Sequence, residues 1–359
     1  MDIRSERMIY VGIFNYCKDL PYEQITFFFD PATKMKAIVA IHDTTLGPAL
    51  GGTRMWSYRS EDEALLDVLR LARGMTYKAA ACGLDLGGGK AVLIGDCSRD
   101  KNERMLKAYG RSLNYLNGRY ITAEDVGTNQ HDMDIIHQVT NCVVGTSTGS
   151  GDPSPFTAYG VYKGIKAAVS YLNGSDTMKG LVIAVQGLGN VGYNLCQYLH
   201  DDGANLLVSD ICMSQVKRAV SAFNAVAIEP DDIFNVKCNI YSPCALGAVV
   251  NDNTIGRLKC EIIAGAANNV LECEKHGDYL HQQGIWYIPD YIINAGGLIN
   301  VASEVSGYDR QKVFTKVEGI HDTVMKIMRM SKEKKIPPYR AADLYALERI
   351  NKVKSIEMS

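Results

Sequence analysis

Apolar positions arrive along this chain in two rhythms. Between Ile25 and Ile94, the short runs Ile25-Thr-Phe-Phe-Phe29, Ala37-Ile-Val-Ala-Ile41 and Ala91-Val-Leu-Ile94 predict strands. Between them Leu65, Leu66, Val68, Leu69, Ala72 and Met75 recur at helical spacing and predict a helix with a mostly buried face. Ser60-Glu-Asp-Glu63 ahead of it is a capping box, in which a hydroxyl and a carboxylate satisfy amides freed at the helix start. The Gly/Ser/Pro-rich segment 145–155 is the best hinge candidate. Beyond it the pattern predicts a helix from about Thr157 to Leu172, then strand–helix units of the kind that build a parallel sheet. Past Gly307 the rhythm is helical, through Val313, Phe314, Val317, Ile320, Val324 and Ile327. Pro337-Pro338 interrupts it, and a last helix is expected from about Ala341 to Val353. No internal repeat or low-complexity tract is present.

Composition narrows the class. A chain of 359 residues has room for two domains, and 47% hydrophobic with 22% charged residues fits a globular protein. A net charge of -2 provides no basic footprint for nucleic acid, and no apolar run approaches a membrane span. The first residues, Met1-Asp-Ile-Arg-Ser-Glu-Arg7, lack the apolar stretch of a secretory signal. The 10 cysteines over 359 residues are too sparse for a disulfide scaffold, and none occurs as Cys-x-x-Cys, which argues against a zinc ribbon or a thioredoxin motif. The expectation is a cytoplasmic enzyme-sized protein with no nucleic-acid or membrane partner.

One motif carries cofactor chemistry. Leu181-Val-Ile-Ala-Val-Gln186 reads as a buried parallel strand running into Gly187-Leu-Gly189-Asn190-Val191-Gly192 and a helix through Leu195, Tyr198 and Leu199. A second strand, Asn205–Ser209, ends at Asp210. The first glycine makes the tight turn, the second admits a pyrophosphate to the backbone, and the third lets helix pack on strand. The helix N-terminus offers partial positive charge to the phosphates. Asp210 stands where a carboxylate accepts hydrogen bonds from an adenosine ribose, and it would repel a 2′-phosphate. NAD is therefore favoured over NADP.

A cofactor site does not name a reaction. Gly74-Met-Thr-Tyr-Lys78 is followed by Leu86-Gly-Gly-Gly-Lys90, which looks superficially like a phosphate loop. Leu84 and Ala91 occupy the positions where that loop needs Gly and Ser/Thr, so a kinase or ATPase reading fails. Glycines around Lys90 suggest close packing that holds its amine in a partly dry cleft, where desolvation lowers a lysine pKa. By residue type alone Lys90 also reads as a surface lysine. Tyr120-Ile-Thr-Ala-Glu-Asp-Val-Gly127 places two carboxylates after an apolar strand, and Asp125 reads equally as a helix or turn cap. His131 and His137, beside Glu124, Asp125, Asp132 and Asp134, form a solvated helix face rather than a metal site, and no metal is expected.

Taken together, Leu46-Gly-Pro-Ala-Leu-Gly-Gly-Thr-Arg-Met-Trp56, the two lysine motifs at their spacing, Thr122-Ala-Glu-Asp-Val-Gly127, Thr157-Ala-Tyr-Gly160, the glycine turn, Ser242-Pro-Cys-Ala-Leu-Gly247 and Pro289-Asp-Tyr-Ile-Ile-Asn-Ala-Gly-Gly-Leu-Ile-Asn300 resemble the glutamate/leucine/phenylalanine/valine dehydrogenase family, from about Gln24 to Arg349. The resemblance implies an α/β fold in two domains. Residues 1–145 would form an α/β substrate domain, with the C-terminal helix 336–359 folding back on it, and 146–335 a doubly wound Rossmann-type NAD domain. It implies reversible NAD-dependent oxidative deamination of an L-amino acid to a 2-oxo acid and ammonia.

By that resemblance Lys78 binds the substrate carboxylate with the Gly51-Gly52 backbone, Lys90 is the catalytic lysine, and Asp125 shuttles protons at the amine. Thr157 and Asn269 contact the nicotinamide end, and Asn294 the substrate. The side-chain pocket maps onto Leu50, Ala123, Leu298 and Val301. These are apolar, which disfavours glutamate and points to L-leucine with valine and isoleucine. Leu298 also occurs in relatives acting on aromatic amino acids, so an aromatic substrate is the alternative, and an NAD-binding pseudoenzyme is the alternative of another class. The resemblance further implies a homo-oligomer, octameric in several relatives, and a 146–151 segment shorter than the family's usual one.

Overall fold

A computed structural model describes residues 22–357. These residues divide into two compact units, 22–76 with 86–143, and 77–85 with 144–357. Among the described residues no helix is long and apolar enough to cross a membrane.

The first unit is built on a mixed five-stranded sheet in the order β1-β2-β4-β3-β5. Its strands are β1 (Gln24–Asp30), β2 (Met35–Asp43), β3 (Ala49–Trp56), β4 (Gly87–Ile94) and β5 (Tyr120–Glu124). β3 runs parallel to β4 and β5, whereas β2 runs antiparallel to β1 and β4. Alternation in β2 and β4 buries both faces. Met35, Ala37, Val39, Ile41, Ala91 and Leu93 pack with Met105, Leu106, Tyr109, Leu113, Met133 and Ile136 from α2 (Glu103–Asn114) and α3 (Gln130–His137). Ile38, Ala40 and Val92 face the other way, onto Leu65, Val68, Leu69 and Ala72 of α1 (Glu61–Ala81). Leu66, expected with this stripe, is half exposed, because it lies off the face shared by positions 65, 68, 69 and 72.

α1 starts where the capping box predicts. Ser60 Oγ accepts from the Glu63 amide, and the Glu63 carboxylate reaches back one residue further than in the standard box, to the Arg59 amide. The acidic stretch around 131–137 departs from a fully solvated face. Asp132 is buried, completes the capping box of α3 with Asn129, and binds Lys101 at 2.7 Å.

The second unit holds a six-stranded, wholly parallel sheet in the order β11-β10-β9-β6-β7-β8. Its strands are β6 (Val182–Gln186), β7 (Asn205–Ser209), β8 (Val226–Ala227), β9 (Ile240–Pro243), β10 (Ile262–Ile263) and β11 (Trp286–Tyr287). Chain order reverses between β6 and β9, which is the switch point at which doubly wound sheets bind ligands. The helices are α4 (Ser154–Asn173), α5 (Asn190–Asp201), α6 (Met213–Phe223), α7 (Glu274–Gln282), α8 (Asp290–Ile293), α9 (Gly296–Ala302), α10 (Arg310–Glu318), α11 (Ile320–Lys334) and α12 (Pro338–Glu357). α12 begins earlier than its apolar rhythm suggested, since proline's fixed φ and missing N–H suit a first helical position.

Arg349 on α12 donates to the carbonyls of Ala80 and Leu84 and to the Asp85 carboxylate, residues that group with this second unit. The 145–151 segment is stitched down by one side chain: the Glu304 carboxylate accepts from the amides of Gly145 at 2.9 Å and Ser150 at 2.7 Å.

Candidate active site

Strand register gathers the candidate residues of the first unit. Leu50 pairs with Gly88 and Ile121, and Gly52 pairs with Ala123, so Leu50, Gly52, Arg54, Lys90 and Ala123 share one sheet face. Such close approach requires glycine. A Cβ on Gly88 would lie 2.0 Å from the Thr76 amide nitrogen of α1, and one on Gly51 would strike the Gly89 carbonyl. Beneath, Tyr120 donates to the Gly51 carbonyl at 2.6 Å, and the buried hydroxyls of Thr53, Tyr109 and Thr122 bond one another.

Lys90 is no surface lysine. It is 5% exposed, and its Nζ lies 3.2 Å from Asp125 Oδ2. Nor is Asp125 a helix cap. Its main chain forms a turn with Thr128, Asn129 caps α3 instead, and its carboxylate meets side-chain cations. Burial drives the Lys90 pKa below that of an ordinary lysine; the Asp125 charge opposes this and the Arg54 charge reinforces it. Burial works to raise the Asp125 pKa, but Lys90 and Arg54 more than offset it, and the carboxyl titrates below its ordinary value. Burial thus eases loss of the Lys90 proton while the neighbouring cations favour the ionised Asp125, and such a pair can take a proton from a substrate ammonium and pass it on.

Three participants, Arg54, Asp67 and Tyr58, went unnoticed in the sequence. Arg54 Nε donates to Asp125 Oδ2 at 2.9 Å, and its Nη1 to Asp67 Oδ2 at 2.9 Å, where Tyr58 also donates. Period-two alternation puts Arg54 on the Leu50–Gly52 face, but nothing local reveals its acidic partners.

In the second unit Lys78 Nζ donates to Asn294 Oδ1 at 2.6 Å. Asn294 Nδ2 donates in turn to Asn268 Oδ1 at 2.7 Å and to the Ala266 carbonyl. Two expected substrate contacts are therefore neighbours, and Asn268 supports them. Asn269 is exposed with a left-handed backbone, φ 52°. Leu298 and Val301, three apart on α9, are both half-buried, whereas Ile299 and Ala302 face the core.

The residues around the glycine turn suit a dinucleotide. Gly187 has φ 95° and lies against Cys244 and Ala245 after β9, and a Cβ on Gly192 would meet the Gly187 carbonyl at 2.0 Å. Gly189 and Asn190 are exposed at the start of α5, with Val191 half-buried behind them. Asp210 braces this turn: Oδ2 accepts from the Leu188 amide at 2.6 Å and Oδ1 from the Cys212 amide at 2.7 Å. Each oxygen keeps a second lone pair for a ribose hydroxyl. Thr157 on α4 donates to the Pro153 carbonyl, and a Cβ on Gly297 would sit 2.8 Å from its Oγ1.

Asp252, Glu272 and His276 bring three donor atoms within 4.8 Å of one another. His276 Nδ1 accepts from the Cys273 amide, so Nε2 carries the proton donated to Asp252, and the lone pair a cation needs is taken. This cluster works as a cap at the start of α7.

Comparison with known proteins agrees with this geometry. The family described as Glu/Leu/Phe/Val dehydrogenase, dimerisation domain, matches residues 24–141, and Glutamate/Leucine/Phenylalanine/Valine dehydrogenase matches 148–212 and 208–356. Leucine dehydrogenase of Bacillus subtilis (strain 168) is 57% identical over 95% of this chain and 95% of its own length. That of Geobacillus stearothermophilus is 57% identical over 94% and 93%. The crystal structure of L-tryptophan dehydrogenase from Nostoc punctiforme superposes with a TM-score of 0.88 at 46% identity, covering 96% of this chain and 100% of that one. The lysine–aspartate pair, the glycine turn and these likenesses run through the same residues, and the chain belongs to the glutamate/leucine/phenylalanine/valine dehydrogenase family.

Proposed function

We infer that this protein catalyses the reversible NAD-dependent oxidative deamination of a branched-chain L-amino acid, L-leucine foremost with valine and isoleucine, to the 2-oxo acid and ammonia. The observation that carries this reading is the buried Lys90–Asp125 pair, 3.2 Å apart, in a chain 57% identical to leucine dehydrogenases along almost its whole length.

NAD, when bound, supplies the hydride acceptor, and Gly187, Gly189, Asn190, Val191, Gly192 and Asp210 are the residues that would hold it, with Thr157 and Asn269 toward the nicotinamide. Lys78, oriented by Asn294, binds the substrate carboxylate as a fixed cation with the Gly51–Gly52 backbone. Asp125 takes a proton from the substrate ammonium, since a Cα–H bond yields hydride only when the neighbouring nitrogen has a lone pair to donate. Lys90, whose pKa burial lowers, acts in its neutral form to remove a proton from the water that attacks the iminium carbon; protonated, it polarises the 2-oxo group in the reverse direction. Leu50, Ala123, Leu298 and Val301 supply apolar surface to the side chain and no cation for a second carboxylate.

The test is NADH formation with purified protein on L-leucine, L-valine, L-isoleucine and L-phenylalanine. The expected result is the highest kcat/KM on L-leucine. A clear preference for the aromatic substrate would reassign the specificity, and no turnover across the panel would leave an NAD-binding pseudoenzyme.

A further inference from the structure

Asp125 answers to two cations. Lys90 Nζ at 3.2 Å and Arg54 Nε at 2.9 Å converge on the same oxygen, Oδ2, and no described residue bonds Oδ1. Arg54 is itself fixed. Its Nη1 bonds Asp67 Oδ2 at 2.9 Å, where Tyr58 donates at 2.7 Å, and Arg70 reaches Asp67 Oδ1 at 3.1 Å. The result is an alternating line of charge, Lys90, Asp125, Arg54, Asp67, Arg70, that crosses from β4 to β5, back to β3 and out to α1.

The two cations differ in kind. Lys90 must lose its proton to act as a base, and at that moment it stops compensating the half-buried Asp125 carboxylate. A guanidinium does not titrate in the working range and remains charged throughout. Its Nη1 bond to Asp67 also fixes the guanidinium, so the Nε–H meets Asp125 Oδ2 from one set direction, which a rotating ammonium does not impose.

We propose that Arg54 is a positioning residue for the deamination: braced by Asp67, it holds Asp125 in one orientation and supplies the balancing positive charge whenever Lys90 is neutral. This rests on the assignment of Lys90 and Asp125 to the chemistry of the amine. Without Arg54, Asp125 loses an attracting charge and Lys90 loses a repelling one, so both groups bind their protons more tightly. Neutral Lys90 and ionised Asp125 would then be reached only at higher pH.

The experiment is the pH profile of kcat/KM for L-leucine oxidation in the wild type, R54Q, R54K and D125N, with NADH affinity and circular dichroism as checks on folding. For R54Q the acid limb should move up by about one pH unit. Its kcat at neutral pH should fall roughly 10- to 100-fold, with less change in KM. R54K should return the limb to near its wild-type position while keeping a reduced kcat, because charge is restored and geometry is not. A folded R54Q with an unmoved limb overturns the proposal, as does an R54K limb displaced as far as that of R54Q. Should R54Q fail to fold, R54K decides: a reduced kcat with the limb in place supports the proposal, and an unchanged kcat overturns it. D125N reports on the underlying reading. If D125N turns over normally, the role of Asp125 fails and this inference with it; if D125N is inactive and the R54Q limb stays put, only the inference fails.

Discussion

Lys90 is the residue at which burial and charge are set against each other. A lysine at 5% exposure is costly to keep protonated, and the Asp125 carboxylate, with a smaller contribution from Asp67, offsets that cost. Replacing Lys90 with Ala should lower kcat for L-leucine at least 100-fold while leaving NADH affinity, read by fluorescence titration, within about twofold; equal loss of both would mean a damaged fold. Asp67 tests the same network through stability. Burial works to raise its pKa, and Tyr58, Arg54 and Arg70 hold it below the ordinary value. The stability so contributed is fully present above the unfolded carboxylate pKa and is lost as pH falls through the lower folded one. D67N should therefore be less stable than wild type in urea at pH 7, with the gap closing as the solution is acidified below pH 4. A gap independent of pH would show that packing, not charge, is what Asp67 supplies. Asn268 shows where residue-level reading stops. Nothing in the sequence separates Asn268 from its neighbour Asn269; only the fold turns the first toward Asn294 and gives the second a left-handed backbone, φ 52°.

Elements were legible where the governing interactions are local. The capping box, the helix–strand alternation and the glycine turn all depend on residues within a few positions of one another, and α1, β6, α5 and β7 appear where the sequence places them. Less legible were faces and ends: Leu66 faces outward, Asp132 is buried, and α12 begins at Pro338. Each was settled by a partner distant in sequence or by a steric detail. The crossing of α1 over β4 is the most demanding such detail. Gly88→Ala would press a methyl group against the Thr76 backbone, which is not the end of a flexible side chain and cannot swing aside. The expected destabilisation is about 1–3 kcal/mol, measurable by urea unfolding. A neutral effect would show that α1 can shift without loss.

At the scale of the molecule, the two units solve different problems. The parallel sheet of the second unit places its strand-order reversal between β6 and β9, with the Gly187 turn against Cys244 and Ala245. The mixed sheet of the first unit instead ends on an edge strand, β1, whose Phe27 and Phe29 are 52% and 62% exposed on one face. An apolar edge of this kind is stable in water when another strand or chain covers it. The homo-oligomer expected from the family resemblance is testable on this strand: if β1 lies in the subunit contact, the double variant F27K/F29K shifts the sedimenting species to a lower mass at unchanged helical content. An unaltered mass would place the assembly surface elsewhere.

The sequence by itself determined the strand–helix alternation and the dinucleotide turn, because periodicity and short motifs are written within a few residues of one another, and through the family resemblance of its motifs it named Lys78, Lys90 and Asp125. Only the tertiary structure decided which charges meet. Arg54 and Asp125 are 71 positions apart, and Lys78 and Asn294 are 216 apart. An ion pair or hydrogen bond over such a separation is set by strand register and helix docking, since its energy falls away within a few ångströms and chain order carries no measure of that distance.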